Sequence, residues 1–168
     1  MIYKVLTLWQ PWATLFAYGI KQMETRPKST SFGGTYLIHS AKQFNKSQKD
    51  KCEEKYFAEA LHSLGIEDIK KLPVGAIIGA YDHIQCIKIP IFPEIISRTY
   101  SYPENSKMKD LDIIVPPNYP ELAFGDYTPG RYVWTGDNHR VLKEPIPYKN
   151  GQGYYLPFKG DESKLIFK

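Results

Sequence analysis

The chain opens with Val5, Leu6 and Leu8 apolar and Lys4 and Thr7 polar among them, a pattern that predicts a β-strand over 2–8. Pro11 cannot donate to a sheet ladder but suits the first turn of a helix. Trp12, Leu15, Phe16 and Ile20 recur at helical spacing behind it, and Gly19 is a C-terminal stop. Pro27 biases Arg26 away from helix, so 23–26 is read as a strand with Glu24 and Arg26 on one side and Lys21 in the preceding turn. A polar, glycine-containing loop covers 28–34. An apolar strand follows over 35–39 and ends at Ser40-Ala41-Lys42.

Asn45 or Ser47 caps a helix predicted to run to about Leu64, with Cys52, Tyr56, Phe57, Ala60 and Leu61 as its apolar stripe and Gly65 as its end. A second short helix is expected over 66–72, then a turn at Pro73-Val74-Gly75. A strong strand begins at Ala76 and continues to Ile89, with a break near Asp82-His83. Residues 90–123 carry Pro103, Pro116, Pro117 and Pro120 among scattered tyrosines. They read as an irregular insertion with one short helix near 93–97, and long loops of this kind are often functional. Strands are predicted over 130–135 and 140–142 around a turn at Gly136-Asp137-Asn138. An aromatic, glycine-rich segment follows over 146–153, then a last strand over 154–158 and a tail that frays or adds an edge strand. The reading is a single mixed α+β domain over 1–168.

Composition sharpens this in one respect. The 13 Tyr, 8 Phe and 3 Trp, with 13 Pro and 12 Gly, favour many short strands and tight turns over a helical bundle. Hydrophobic residues, at 42%, suffice for a core. A net charge of +4 permits RNA, DNA or a phosphorylated ligand as partner. Cys52 and Cys86 form no CxxC pair and are read as reduced thiols of a cytoplasmic protein. The N-terminus does not have the build of a signal peptide, and no apolar run approaches the ~20 residues of a membrane span. His62, His83 and His139 lack metal-ligand spacing, so neither metal nor cofactor is expected.

The chemistry concentrates around Lys21, Glu24 and Arg26. An arginine fork suits phosphate or a base edge, a glutamate accepts from an exocyclic amine, and a lysine neutralises phosphate or, desolvated, serves as a base. The plainer reading is a structural ion cluster in which Glu24 holds both cations. Trp9 and Gln10, at the strand-to-helix turn, offer a stacking ring and an amide for a base edge, whereas Trp12 is assigned to the core. His39, Ser40 and Lys42 end a strand beside these residues. Adjacent strand residues face opposite ways, so His39 and Ser40 are not a nucleophile–base pair by adjacency; His39 is read as a binding residue and Lys42 as a phosphate contact or a solvated lysine. Asp82 interrupts an apolar strand and needs a partner, for which Lys21 and Arg26 are candidates. Gln152 sits in a glycine-rich turn that lets backbone approach a ligand.

Several segments in this order resemble one family. They are Leu8-Trp9-Gln10-Pro11-Trp12-Ala13, Gly19-x-Lys21-x-x-Glu24-x-Arg26, 34–42, 72–79, Phe124-Gly125-Asp126-Tyr127, Gly130-Arg131-Tyr132-Val133-Trp134, and 145–149 with Gly151-Gln152-Gly153. Together they resemble the ASCH family, a branch of the PUA-like β-barrels. The resemblance implies a small PUA-like β-barrel flanked by short helices, with a charged cleft at its mouth. It implies RNA or a modified nucleoside as ligand. Some family members are amidohydrolases acting on N4-acylated cytidine, and a ribonuclease activity has been described in the family. In the amidohydrolase branch a threonine nucleophile stands where this chain has Glu24, the lysine corresponds to Lys21, and a later glutamate aligns loosely with Asp82. The main expectation is therefore a binding module using Trp9, Gln10, Lys21, Glu24, Arg26, His39, Ser40, Lys42 and Gln152. The alternative is a hydrolase using Lys21 with Glu24 or Asp82.

Overall fold

A computed structural model describes residues 2–89, 121–149 and 156–168. The short helix expected near 93–97, most of the predicted insertion, Gln152 and the start of the strand expected over 154–158 lie outside these residues. Five strands form one mixed sheet: β1 (Lys4–Leu8), β2 (Met23–Arg26), β3 (Gly34–Ser40), β4 (Ala76–Lys88) and β5 (Tyr132–Pro147). Their order is β1-β3-β4-β5-β2, with β1 parallel to β3 and the other pairings antiparallel. The helices are α1 (Trp12–Ala17), α2 (Lys46–Glu53), α3 (Lys55–Ser63) and α4 (Glu121–Phe124).

The two-residue period of the strands divides the core. One sheet face carries Leu6, Leu8, Tyr36, Ile38, Tyr81 and Trp134 against Ala13, Phe16 and Ala17 of α1. The other carries Val5, Leu37, Ile77, Ala80 and Leu142, covered by Tyr148, Phe158, Leu165 and Phe167. On the far side of α1, Leu15 and Trp12 pack with Cys52, Phe57, Ala60 and Leu61. Trp12, half-buried, packs against this cluster and meets Phe57 edge-on at 5.3 Å, on the apolar side its helical spacing predicts.

Four expectations change. The sheet is not closed into a barrel: β1 and β2 are its edges and do not pair with each other, and the Arg26 guanidinium of β2 instead donates to the Thr7 carbonyl of β1 at 2.8 Å. The helix predicted to reach Leu64 is two helices, because Glu54 is extended (φ −65°, ψ 139°) between them. The helix expected over 66–72 is a single 3-10 turn, Ile69–Lys71. The turn at Gly136-Asp137-Asn138 lies inside β5, which runs unbroken for 16 residues. Gly136 there sits against β4 so closely that a Cβ would lie 2.3 Å from the Asp82 carbonyl oxygen, so this glycine serves strand contact rather than reversal. The expected irregularity in β4 is present as register shifts between Ala80 and Asp82 and between His83 and Gln85. Among the described residues after 156, Phe167 bridges to Leu142 and Pro157 to Lys4 as isolated contacts. Cys52 and Cys86 are free thiols.

Candidate functional site

The short helix α1 is capped at Tyr18 and followed by Gly19, whose φ of +71° turns the chain so that Lys21 points back into the molecule. Lys21 is 1% exposed. Its Nζ donates to the Met23 carbonyl and lies 3.3 Å from Glu24 Oε2 and 3.6 Å from Glu121 Oε1. Glu24 faces the same way as Trp134, its partner in register on β5. Its other oxygen, Oε1, lies 2.8 Å from Arg26 Nε. The period-two expectation that Glu24 and Arg26 share a side therefore holds, and Thr25 does face away: its Oγ1 accepts from the Asp126 amide at 3.0 Å.

Glu121 is the component that the sequence reading missed. It is fully buried at the start of α4 and accepts from the Gln22 amide at 2.8 Å, the Met23 amide at 3.2 Å and the Tyr127 hydroxyl at 3.3 Å. The only signal in the sequence is an acid opening Glu-Leu-Ala-Phe just ahead of Gly125-Asp126-Tyr127, roughly a hundred residues from the amides it binds. The result is an alternating chain, Glu121–Lys21–Glu24–Arg26, in which every buried charge faces an opposite one. Such a chain resists the large desolvation cost of isolated ions only as long as all members are present.

Behind it lies an aromatic wall. Tyr36 stacks on Tyr81 with centroids 5.6 Å apart, and Tyr81 stacks on His139 at the same spacing. Trp134 lies 5.8 Å from both Tyr36 and His83. The Tyr81 hydroxyl is buried and has no hydrogen-bond partner among the described residues. Burial foremost, with the nearby Tyr36 phenol and the Glu24 carboxylate adding to it, holds its pKa well above the ordinary tyrosine range, so it is a neutral donor. His83 and His139 are held below the ordinary histidine pKa, chiefly by burial, and are neutral at pH 7.

The remaining candidates divide. Trp9 is 52% exposed at the end of β1, two residues beyond the Thr7 carbonyl that Arg26 grips. Gln10 is fully buried with both ends of its amide committed, Nε2 donating to the Pro73 carbonyl at 2.7 Å and Oε1 accepting from the Thr14 amide at 3.2 Å. It clamps the α1 start to the 72–75 turn. Ser40 is buried and donates to the Ala76 carbonyl at 3.3 Å. Its strand neighbour His39 belongs to the opposite sheet face, beside Thr7 Oγ1 (3.1 Å from Nδ1) and the Tyr148 ring. Lys42 is exposed past the end of β3. Asp82 does not join Lys21 or Arg26. Arg140 grips both its oxygens at 3.0 Å, Thr35 Oγ1 donates at 2.7 Å and Asn138 Nδ2 at 2.7 Å, which lowers its pKa to about 2. A carboxylate so fully occupied fastens β3, β4 and β5 together, and its expected pairing with Lys21 or Arg26 is corrected to Arg140. No cluster of His, Cys, Asp and Glu suited to a metal occurs among the described residues.

No family model matches the chain, and no curated protein matches it. Among solved structures, the chain is similar to the crystal structure of a mutant of the protein ZmASCH from Zymomonas mobilis, at 14% identity and a TM-score of 0.43, over 86% of this chain and 74% of that one.

Proposed function

We propose that the protein is an ASCH-type binding domain, of PUA-like build, that takes RNA or a modified nucleoside at the seam between β1 and β2. The family reading rests on the ordered motifs of the sequence. The observation that carries the site is the pairing of Glu24 with Arg26 at the seam, 2.8 Å apart, with the exposed Trp9 ring following the Thr7 carbonyl that Arg26 holds. Arginine and glutamate side by side offer a donor fork and an acceptor to a base edge or phosphate. An exposed indole supplies a stacking plane of roughly 1–3 kcal/mol per base. Lys21 and Glu121 form the buried support that fixes Glu24. In this reading Gln10, Ser40 and Asp82 bind nothing, and His39 lies on the other sheet face.

A second reading rests on one contact, Lys21 Nζ to Glu24 Oε2 at 3.3 Å. A lysine–carboxylate pair can activate water for hydrolysis of an N4-acylated cytidine.

One experiment separates them. The protein and its Glu24→Gln and Trp9→Ala variants are incubated with short single-stranded RNA and with N4-acylated cytidine; binding is read by fluorescence anisotropy and products by mass spectrometry. A binding domain gives salt-sensitive association that Trp9→Ala weakens by roughly 5- to 150-fold, the span of one lost base stack, and no product. Turnover that disappears in Glu24→Gln establishes the hydrolase instead. Folded protein that neither binds nor turns over either probe overturns both.

A further inference from the structure

A second recessed region shares no residue with the charged chain. It is a cleft of about 370 Å³ between α1, the 65–73 segment, β5 and the end of the chain. The volume equals about a dozen waters at their liquid share and falls in the range of small-molecule sites. Its lining is mostly apolar, with Ala17, Leu72, Ile78 and Val141 contributing. Thr14 also lines it, and the Thr14 hydroxyl is covered and has no hydrogen-bond partner among the described residues.

The walls are pinned independently. Pro73 is tied to α1 through Gln10, Ile66 donates its amide to the Leu61 carbonyl at 3.0 Å, and Lys168 donates its amide to the Val141 carbonyl at 2.9 Å. A cleft whose sides are held by separate hydrogen bonds is formed before a ligand arrives, and binding there costs little ordering.

The charges around it are unequal in availability. Lys71, Lys143 and Lys168 reach it, as do Glu67 and Asp68. The three lysines outnumber the two acids, and each acid keeps its charge but has a contact of its own: Glu67 Oε1 lies 2.8 Å from His62 Nδ1, and Asp68 Oδ1 accepts from the Lys70 amide at 2.9 Å. Lys168 sits over the Tyr18 ring at 5.9 Å, while Lys71 and Lys143 are exposed and make no ion pair among the described residues. An apolar floor below two unpaired ammonium groups complements a molecule with an apolar body and one negative head.

We propose that this cleft is a binding site for a small organic anion, an aromatic or aliphatic acid whose body lies on the Ala17–Ile78–Val141 floor and whose charge meets Lys71 and Lys143. The site is separate from the seam, and either proposal stands without the other.

The test uses two fluorescent probes with one ring system, 8-anilinonaphthalene-1-sulfonate, which carries the negative head, and N-phenyl-1-naphthylamine, which lacks it. The full chain is titrated with each, alongside the double variant Lys71→Glu/Lys143→Glu, and 1H–15N spectra locate the shifts. The anionic probe is expected to move the amides of Thr14, Ala17, Tyr18 and Lys143, and the double variant to weaken it at least tenfold while leaving the neutral probe unchanged. Native peak dispersion in the variant confirms that it folds. Shifts confined to other residues, equal losses for both probes, or no saturable binding of the anionic probe would each overturn the proposal. So would a variant that loses RNA binding but keeps the sulfonate, since the lysines would then belong to a nucleic-acid surface.

Discussion

At the scale of single residues, the molecule shows how differently two acids behave once their neighbours are fixed. Asp82 is partly open to solvent and carries four donor contacts, and its pKa falls from 3.8 to about 2. A depressed carboxylate contributes stability above its unfolded pKa and loses it as pH falls through the folded value. Asp82→Asn is therefore expected to cost no more than about 1 kcal/mol at pH 7 after solvent screening, and almost nothing near pH 2. Urea unfolding at the two pH values checks this. Glu121 is fully enclosed and serves two amides, a hydroxyl and Lys21. Glu121→Ala leaves a buried ammonium with one counter-charge fewer and strips three donors, and is expected to cost about 3 kcal/mol or more. Glu121→Gln retains an acceptor and should cost less. Equal denaturant midpoints for the alanine variant and wild type would refute this account. The same burial revises what truncation of Lys21 means: removing it unbalances Glu24 and Glu121, so the variant reads out folding before it reads out binding.

At the scale of elements, the strands are placed by period and the joints by contact. The strand over 23–26 is legible because Pro27 dictates extended backbone at Arg26 and the charged positions alternate. The continuity of β5 is not legible, because Gly136-Asp137-Asn138 has the composition of a turn. Its glycine is used for close approach to β4. Gly136→Ala would drive a Cβ into the Asp82 carbonyl, where backbone cannot yield as a side-chain tip can. The expected cost is about 2 kcal/mol, with faster amide exchange along the 79–83 and 136–141 stretches, measurable by hydrogen–deuterium exchange. The division of α2 from α3 at Glu54 is equally opaque in sequence, since Glu54 is a good helix former. The structure uses the break to seat Phe57, Ala60 and Leu61 of α3 against α1 while α2 buries Gln48 and Cys52.

For the whole molecule, burial of histidines predicts its response to acid. His39, His83 and His139 are all held below the ordinary value of 6.5, with burial the leading cause in each. In the unfolded chain they take up protons near pH 6.5, in the fold only at lower pH, so acidification favours the unfolded state between those values. Thermal midpoints are expected to drop between pH 7.5 and pH 5.5, before carboxylates titrate. A flat profile across that interval would mean that these rings meet water. Among the described residues no helix is long and apolar enough to cross a membrane.

The sequence by itself determined the local periods: the first strand, the α1 turn after Pro11, the strand of the charged triplet and the side that Glu24 shares with Arg26. These follow from proline, glycine and alternation, which act over a few residues. Tertiary structure alone decided who meets whom. It brought Glu121 across roughly a hundred residues to Lys21, gave Asp82 to Arg140 instead of the charged chain, turned His39 to the opposite face from Tyr36, and left β1 and β2 as edges joined by one guanidinium. Ion pairing and packing are set by distance in space, and the periodicity of a single segment carries no information about the segment that will pack against it.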